Sequence, residues 1–256
     1  MLLHVPGRPV ALWLYFGSWS RTPAMLLNAD EWQALRLSLE VALWSLVWNL
    51  PIAIAVAWVL VRRHFPGRAL LDALVHLPLV LPPVLTGYLL LVLFGARGPI
   101  GGWLLRTFGV HLIFTTAGTI LAVAVMTFPL MVRAIRLTLE GIDAGLEEAA
   151  RTLGAGPLDR FFSITLPLML PGILAGAVTA FAAGLGEFGA VITFVSNIPG
   201  ATRTLPLALY TALQTPNGDA TAARLAITSF TLGLLALVLS EWLSRTLRRQ
   251  LGRGTA

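Results

Sequence analysis

The sequence predicts an all-α integral membrane protein, and three observations support this class. Hydrophobic residues make up 57% of the 256 residues and charged residues 12%, about half the charged fraction of a soluble domain. The mean hydropathy is +0.81. Several apolar runs approach or exceed the roughly 20 residues that a helix needs to cross a bilayer, twice the length of a barrel strand. We therefore expect a bundle of membrane-spanning helices.

Five apolar runs are candidates for spans. In chain order they cover residues 38–61, 70–94, 116–132, 168–185 and 225–243. Prolines interrupt the first three runs, and the sequence LPLVLPP at residues 77–83 predicts a broken helix beside a transport pathway. In the fourth run, Gly172 and Gly176 form a GxxxG pair, which favours close approach of a neighbouring helix.

The arginines orient these spans. All 18 basic residues are arginine, and many of them cluster after the first, third and fifth runs. These clusters are Arg62, Arg63 and Arg68; Arg133, Arg136, Arg151 and Arg160; and Arg245, Arg248, Arg249 and Arg253. Cytoplasmic loops carry an excess of positive charge. We therefore expect the N-terminus outside and the C-terminus in the cytoplasm.

Missing residue types exclude several functions. A phosphate-binding P-loop and a Schiff base both require lysine, which the chain lacks. Without cysteine there are no disulfides and no thiolate metal sites, and the four scattered histidines do not have metal-ligand spacing, so we expect no metal site and no membrane enzyme. Loop arginines account for the pI of 11.1 without a nucleic-acid partner.

A polar segment, residues 140–167, separates the third run from the fourth on the predicted cytoplasmic side. Asp143 suits the N-cap of a short helix, and Gly154 suits its C-terminal end. Between them, Ala149 and Ala150 have almost no side chain, so another surface can approach the backbone closely. The pattern predicts two short helices joined by a tight turn.

This segment resembles the signature of the ABC importer permeases: Glu-Ala-Ala, three residues, Gly, nine residues, Ile-x-Leu-Pro. The matching positions are Glu148, Ala149, Ala150, Gly154, Ile164, Leu166 and Pro167, and Glu147 directly precedes them. The resemblance implies the transmembrane domain of a type I ABC importer. It also implies that the segment contains a coupling helix, which docks on a separate ABC ATPase subunit. The ATPase would use the ATP, and this chain would bind no cofactor.

Four other stretches resemble the molybdate importer permeases: residues 31–42, 65–91, 128–143 and 186–206. The likeness does not reach residues 1–24, which we interpret as an extension. The extension either precedes a true start at Met25 or forms an anchor at the membrane interface. Residues 25–256 would form a single transmembrane domain. The resemblance implies a homodimer in the bacterial inner membrane, served by the ATPase and by a periplasmic molybdate-binding protein. A permease of the same type for sulfate, thiosulfate or tungstate is the alternative.

Six residues are candidates for the translocation path or its outer gate: Glu187, Gly189, Ser196, Asn197, Thr202 and Thr204. An acid at membrane depth is costly and usually functional. The alternative for Glu187 is an acid that is merely solvated or capped at the outer interface. Hydroxyl and amide donors suit an oxyanion that must be released again.

Overall fold

A computed structural model describes residues 27–252, so the predictions for residues 1–24 and for Arg253 lie outside the described part. Within that part the chain forms eleven α-helices and one π-helix, with no strands. The helices are α1 (Ala29–Arg62), α2 (Arg68–Val80), α3 (Pro83–Phe94), α4 (Pro99–Phe108), α5 (Thr116–Glu140), α6 (Ala144–Thr152), α7 (Pro157–Arg160), the π-helix (Phe161–Thr165), α8 (Leu166–Leu185), α9 (Gly189–Val195), α10 (Leu205–Gln214) and α11 (Asp219–Gly252).

Four stretches of helix are long and apolar enough to cross a membrane. They are α1, α5, the continuous helical stretch Pro157–Leu185 and the Asp219–Leu239 part of α11. The pair α2 and α3 can form a fifth span, although its two halves are bent by 118°. The sequence predicts five spans. The described residues contain four of them as helical stretches, and the second predicted span is a bent pair of helices rather than one rod.

Two prolines explain the bend between α2 and α3. Pro82 precedes α3 and Pro83 is its first residue. Neither has an N–H, so the helical hydrogen-bond ladder cannot continue across this point. Large apolar side chains remain exposed on both halves, including Val80 and Leu89. Such a surface suits lipid or a second subunit rather than water.

Helices α1, α5 and α8 pack together along an apolar core. One cluster contains Leu60, Met131 and Ile135, all fully buried. A Cβ on Gly172 would overlap the Thr138 hydroxyl, and one on Gly176 would lie 3.1 Å from the Ala134 Cβ. The predicted close approach of a helix to the GxxxG pair is thus confirmed, and its partner is α5.

Each end of α1 carries a charged residue that pairs with another element. At the start of α1, Glu31 is 2% exposed and accepts hydrogen bonds from Arg224 of α11, with Nη2 to Oε1 at 2.6 Å and Nε to Oε1 and Oε2 at 3.1 and 3.2 Å. Glu31 also accepts from the backbone N–H of Asn28 at 2.9 Å. We call this pair the Glu31–Arg224 clamp. At the far end, Arg62 approaches Glu147.

Candidate functional site

The polar segment begins as its sequence predicts. The Asp143 carboxylate accepts a hydrogen bond from the Gly145 N–H at 2.8 Å and caps α6. Gly154 follows the helix with φ +88°, a left-handed conformation that favours glycine. Pro157 is the first residue of α7. The second helix differs from the expectation, because it continues through the π-helix into α8 and is not a separate short helix.

The first half of the signature is exposed. Glu148 and Ala149 are exposed and Ala150 is half-buried. Four large apolar side chains around them are also exposed: Leu146 by 48%, Leu153 by 88%, Leu158 by 72% and Phe162 by 61%. We call these four residues the apolar face of the segment. A cluster of exposed apolar side chains in a polar region is typical of a protein-binding surface.

The second half of the signature is largely structural. Ile164 and Leu166 are half-buried, and Leu166 packs against the core cluster of α1, α5 and α8. Pro167 is exposed in the first turn of α8. A Cβ on Gly154 would meet nothing within 4 Å, so the backbone conformation rather than space requires glycine there. The signature therefore joins an exposed helix to the base of a span.

Glu147 points to neighbouring elements of the same chain. Its Oε1 lies 3.3 Å from Arg62 Nη2 and accepts a hydrogen bond from the Thr165 hydroxyl at 2.9 Å. Its backbone carbonyl accepts from Arg160 Nη1 at 3.5 Å. This role of Arg62, Arg160 and Thr165 does not follow from the sequence, because they lie far from Glu147 along the chain and follow no regular spacing. The signal available in the sequence was a threonine just before a predicted span.

A second charged cluster joins α2 to α5 at the same end of the molecule. Arg136 donates to both carboxylate oxygens of Asp72, at 2.9 and 3.0 Å, and to Glu140 at 2.7 Å. With Arg133 and His76 these side chains line a cavity of about 350 Å³. The described residues contain no group of three or more acidic, histidine or cysteine side chains that would hold a metal ion.

Glu187 lies between α8 and α9, and Gly189 is the first residue of α9, beside the start of α3. The Glu187 carboxylate accepts a hydrogen bond from the Ala190 N–H at 2.9 Å and so caps the start of α9. A Cβ on Gly189 would come within 2.7 Å of the Pro83 Cβ, and one on Gly87 within 2.6 Å of the Ala190 carbonyl oxygen. The Glu187 carboxylate is therefore engaged as a helix cap, and its role at a gate stays a prediction.

The other four gate candidates come together in the loop at residues 196–204. Thr202 is fully buried and its hydroxyl donates to the Ser196 carbonyl at 3.0 Å and accepts from the Ile198 N–H at 2.8 Å. Asn197 donates to Thr211 and accepts from Arg203. Thr204 is 4% exposed. The side chains of Asn197 and Thr202 are therefore engaged within the protein and hold the loop in shape. The side chain of Ser196 is exposed, and the buried Thr204 hydroxyl has no hydrogen-bond partner among the described residues.

The sequence matches the family model described as "Binding-protein-dependent transport system inner membrane component" over residues 49–249. It is 60% identical over 229 residues to the molybdenum transport system permease protein ModB of Escherichia coli K12, covering 90% of this chain and 100% of that protein. The ModB of Haemophilus influenzae is 55% identical, with 88% and 98% covered. The sulfate permease CysT of E. coli K12 is 33% identical, with 98% and 91% covered.

Solved structures show the same fold at low sequence identity. A bacterial alginate ABC transporter chain aligns with a TM-score of 0.68 at 17% identity, covering 93% of this chain and 90% of that chain. A chain of the MetNI methionine ABC transporter aligns with a TM-score of 0.62 at 18% identity, covering 85% and 94%. The expected fold of a type I ABC importer transmembrane domain is confirmed. The chain belongs to the family of binding-protein-dependent transport system inner membrane components.

Proposed function

We propose that this chain is the permease subunit of an ATP-driven molybdate importer. The observation that carries the proposal is the 60% identity to a molybdenum permease over its whole length, against 33% to a sulfate permease. The fold provides membrane-spanning helices around which a pathway can form. Sulfate, thiosulfate or tungstate remains the alternative substrate of the same type of permease.

A separate ABC ATPase supplies the energy in this proposal. The absence of lysine removes the P-loop from this chain, so the ATP binds to the partner. The ATPase docks on α6, where Glu148, Ala149, Ala150 and the Gly154 turn lie beside the exposed apolar face. Small side chains at the contact let the ATPase approach the helix backbone closely.

Two copies of this chain form the pathway between them, and the assembly lies in the bacterial inner membrane. The exposed apolar surface of α2 and α3 supports burial against a second copy or lipid. The arginine-rich end, which includes Arg62 and α6, faces the cytoplasm, and the N-terminus lies outside. A periplasmic binding protein delivers the oxyanion at the other end. The helices then alternate between inward-facing and outward-facing states.

We place the gate where the start of α9 packs against the start of α3. Glu187 and Gly189 shape it through the cap of α9 and the close contact with Pro83. Ser196, Asn197, Thr202 and Thr204 support the adjoining loop through its internal hydrogen bonds and burial. In this proposal Glu187, Asn197 and Thr202 act chiefly by positioning backbone groups, since engaged side chains do not bind an anion directly. The side chain of Ser196 is exposed, so it remains a candidate for contact with the anion.

Transport in reconstituted vesicles tests the proposal. The vesicles contain this chain, its ATPase and its periplasmic binding protein, and labelled molybdate and labelled sulfate are supplied separately. We expect ATP-dependent uptake of molybdate that exceeds uptake of sulfate by at least about tenfold, which corresponds to about 1.4 kcal/mol. Vesicles without ATP, and vesicles without the binding protein, are the controls. Faster uptake of sulfate would support the alternative substrate and overturn the molybdate assignment.

A further inference from the structure

We propose that Glu147, Arg62 and Thr165 form a latch that transmits movement of α6 into the spans α1 and α8. The inference rests on the proposed function, since it takes the ATPase to move α6. It assigns Glu147 a different task from the neighbouring Glu148. Glu148 faces outward for docking, whereas Glu147 holds α6 to the rest of the permease.

The contacts of α6 support this division. In the described part of the chain, every side-chain hydrogen bond and ion pair between α6 and another element goes to Glu147. The exposed side chains of Glu148, Ala149 and Thr152 make no such contact with another element there. A force applied to α6 by a partner therefore passes through the polar contacts of Glu147, through the backbone at the two ends of the helix and through packing against α7 and the π-helix.

The latch reaches two spans at once. Arg62 is the last residue of α1, and Thr165 is the last residue of the π-helix that leads into α8. Thr165 is 1% exposed, so its hydroxyl reaches Glu147 from inside the protein. Short π-helical turns often mark functional sites within helices. One carboxylate thus connects the coupling helix to the ends of two spans.

The charges make the latch sensitive to the loss of Glu147. The side chains of Arg62 and Glu147 are 19% and 25% exposed. Among the described residues, Arg62 Nε and Nη2 and Arg160 Nε are buried without a hydrogen-bond partner. The Glu147 carboxylate is the acid that compensates Arg62. Removing its charge leaves a partly buried guanidinium without a counterion, which weakens the hold on α6.

Two substitutions at the latch provide the main test, Thr165→Val and Glu147→Gln. The permease variant is assembled with its ATPase and binding protein in vesicles, and molybdate transported per ATP hydrolysed is measured. Stimulation of ATP hydrolysis by the loaded binding protein is the second measure of coupling. We expect both measures to fall by about fivefold, while the ATPase still co-purifies as with the unmodified chain. Thr165 is too buried to contact another protein, so its effect must arise within this chain.

Arg62, at the end of α1, allows a matched pair of variants, of which the one that keeps the positive charge should retain coupling. Arg62→Gln removes the charge and should lower coupling as Glu147→Gln does. Arg62→Lys should preserve most of it, because the contact to Glu147 comes from Nη2 alone and Nε has no partner. The neighbouring Arg63 is exposed, and its guanidinium lies 5.1 Å from the Trp58 ring centroid. Arg63→Gln should leave coupling unchanged.

Three outcomes overturn the latch. If both Thr165→Val and Glu147→Gln keep coupling within twofold of the unmodified protein, the latch does not exist. Loss of ATPase co-purification in Glu147→Gln makes Glu147 a docking residue instead. Equal losses in Arg62→Lys and Arg62→Gln exclude the charge as the cause. Failure of the unmodified chain to transport molybdate rejects the proposed substrate only, because binding-protein-stimulated ATP hydrolysis still reports on the latch.

Discussion

The two ends of α1 carry charged pairs that differ in hydrogen bonding and in the burial of the acid, although the two arginine side chains are about equally exposed, at 18% and 19%. The Glu31–Arg224 clamp at one end has three hydrogen bonds between 2.6 and 3.2 Å, and the acid is almost fully buried. At the other end, Arg62 and Glu147 are 3.3 Å apart, and the acid is shared with Thr165. Several donor atoms near that pair have no partner among the described residues.

This difference teaches how one helix can serve both as an anchor and as a moving part. A buried, bidentate and fully satisfied pair is costly to break, so the start of α1 remains attached to α11. The longer pair at the other end, whose acid is partly exposed, contributes less to stability but still holds α6 to the end of α1. We infer that the Arg62 end moves together with α6, while the start of α1 stays attached to α11.

The largest expected effect is the loss of the clamp. Arg224→Met leaves the Glu31 carboxylate buried without its partner and should destabilise the protein by about 3 kcal/mol. Thermal unfolding in detergent, followed by circular dichroism, measures the change. Asp30→Asn, at an exposed neighbouring acid, is the control. A clamp variant as stable as this control would remove the contrast between the two ends.

The second largest effect is expected where α9 packs closely against α3. This contact tests whether a helix crossing away from the two charged pairs is as sensitive to substitution as the clamp. Gly189→Val places a branched side chain against Pro83, where even a Cβ would lie at 2.7 Å. We expect a loss of about 2 kcal/mol from overpacking and slower transport. Gly233→Ala is the control, because a Cβ there meets nothing within 4 Å. Unchanged stability in Gly189→Val would show that the crossing is loose.

A smaller effect is expected at the turn after α6. Gly154→Val must adopt a φ near +88° and should cost about 1 kcal/mol, while the protein remains folded. Because the turn sets the position of α6, this variant should also separate ATP hydrolysis from uptake. Gly154→Asn, which tolerates the left-handed region better, should be milder in both measurements. Normal coupling in Gly154→Val would contradict this role of the turn.

The smallest effect on stability is expected at the latch itself. Glu147→Gln should destabilise the protein by less than about 1 kcal/mol, because the pair with Arg62 is partly exposed and its atoms are 3.3 Å apart. The same unfolding measurement as for the clamp allows a direct comparison. A loss as large as that of Arg224→Met would show that both ends of α1 are anchors, and would sharpen the question of where movement occurs.

Much of the local structure follows from sequence patterns. The cap at Asp143, the left-handed turn at Gly154 and the break at residues 77–83 depend on neighbouring residues alone, so local rules predict them. The 118° angle of that break does not, because it depends on how α3 packs against α9. The continuity of α7 with α8 was missed, since no local signal distinguishes a π-turn from a helix end.

For the gate candidates, too, the sequence alone does not predict which groups the fold brings together. Hydroxyl and amide side chains between residues 196 and 204 suggest an anion path when read from sequence, but hydrogen bonds engage Asn197 and Thr202 within the protein. Glu187 caps a helix through Ala190. Composition identifies which side chains can bind an anion, whereas only their three-dimensional neighbours determine whether these groups are free to do so.

The sequence by itself determined that the chain crosses a membrane and that its polar segment forms capped helices. It also excluded a P-loop in this chain, because the chain has no lysine. All three properties depend on composition or on neighbouring residues alone. Only the tertiary structure decided that Glu31 pairs with Arg224, 193 residues away, and that Glu147 pairs with Arg62 rather than facing outward like Glu148. The physical reason is that ion pairs depend on distances of a few ångströms between side chains, and helix packing sets those distances.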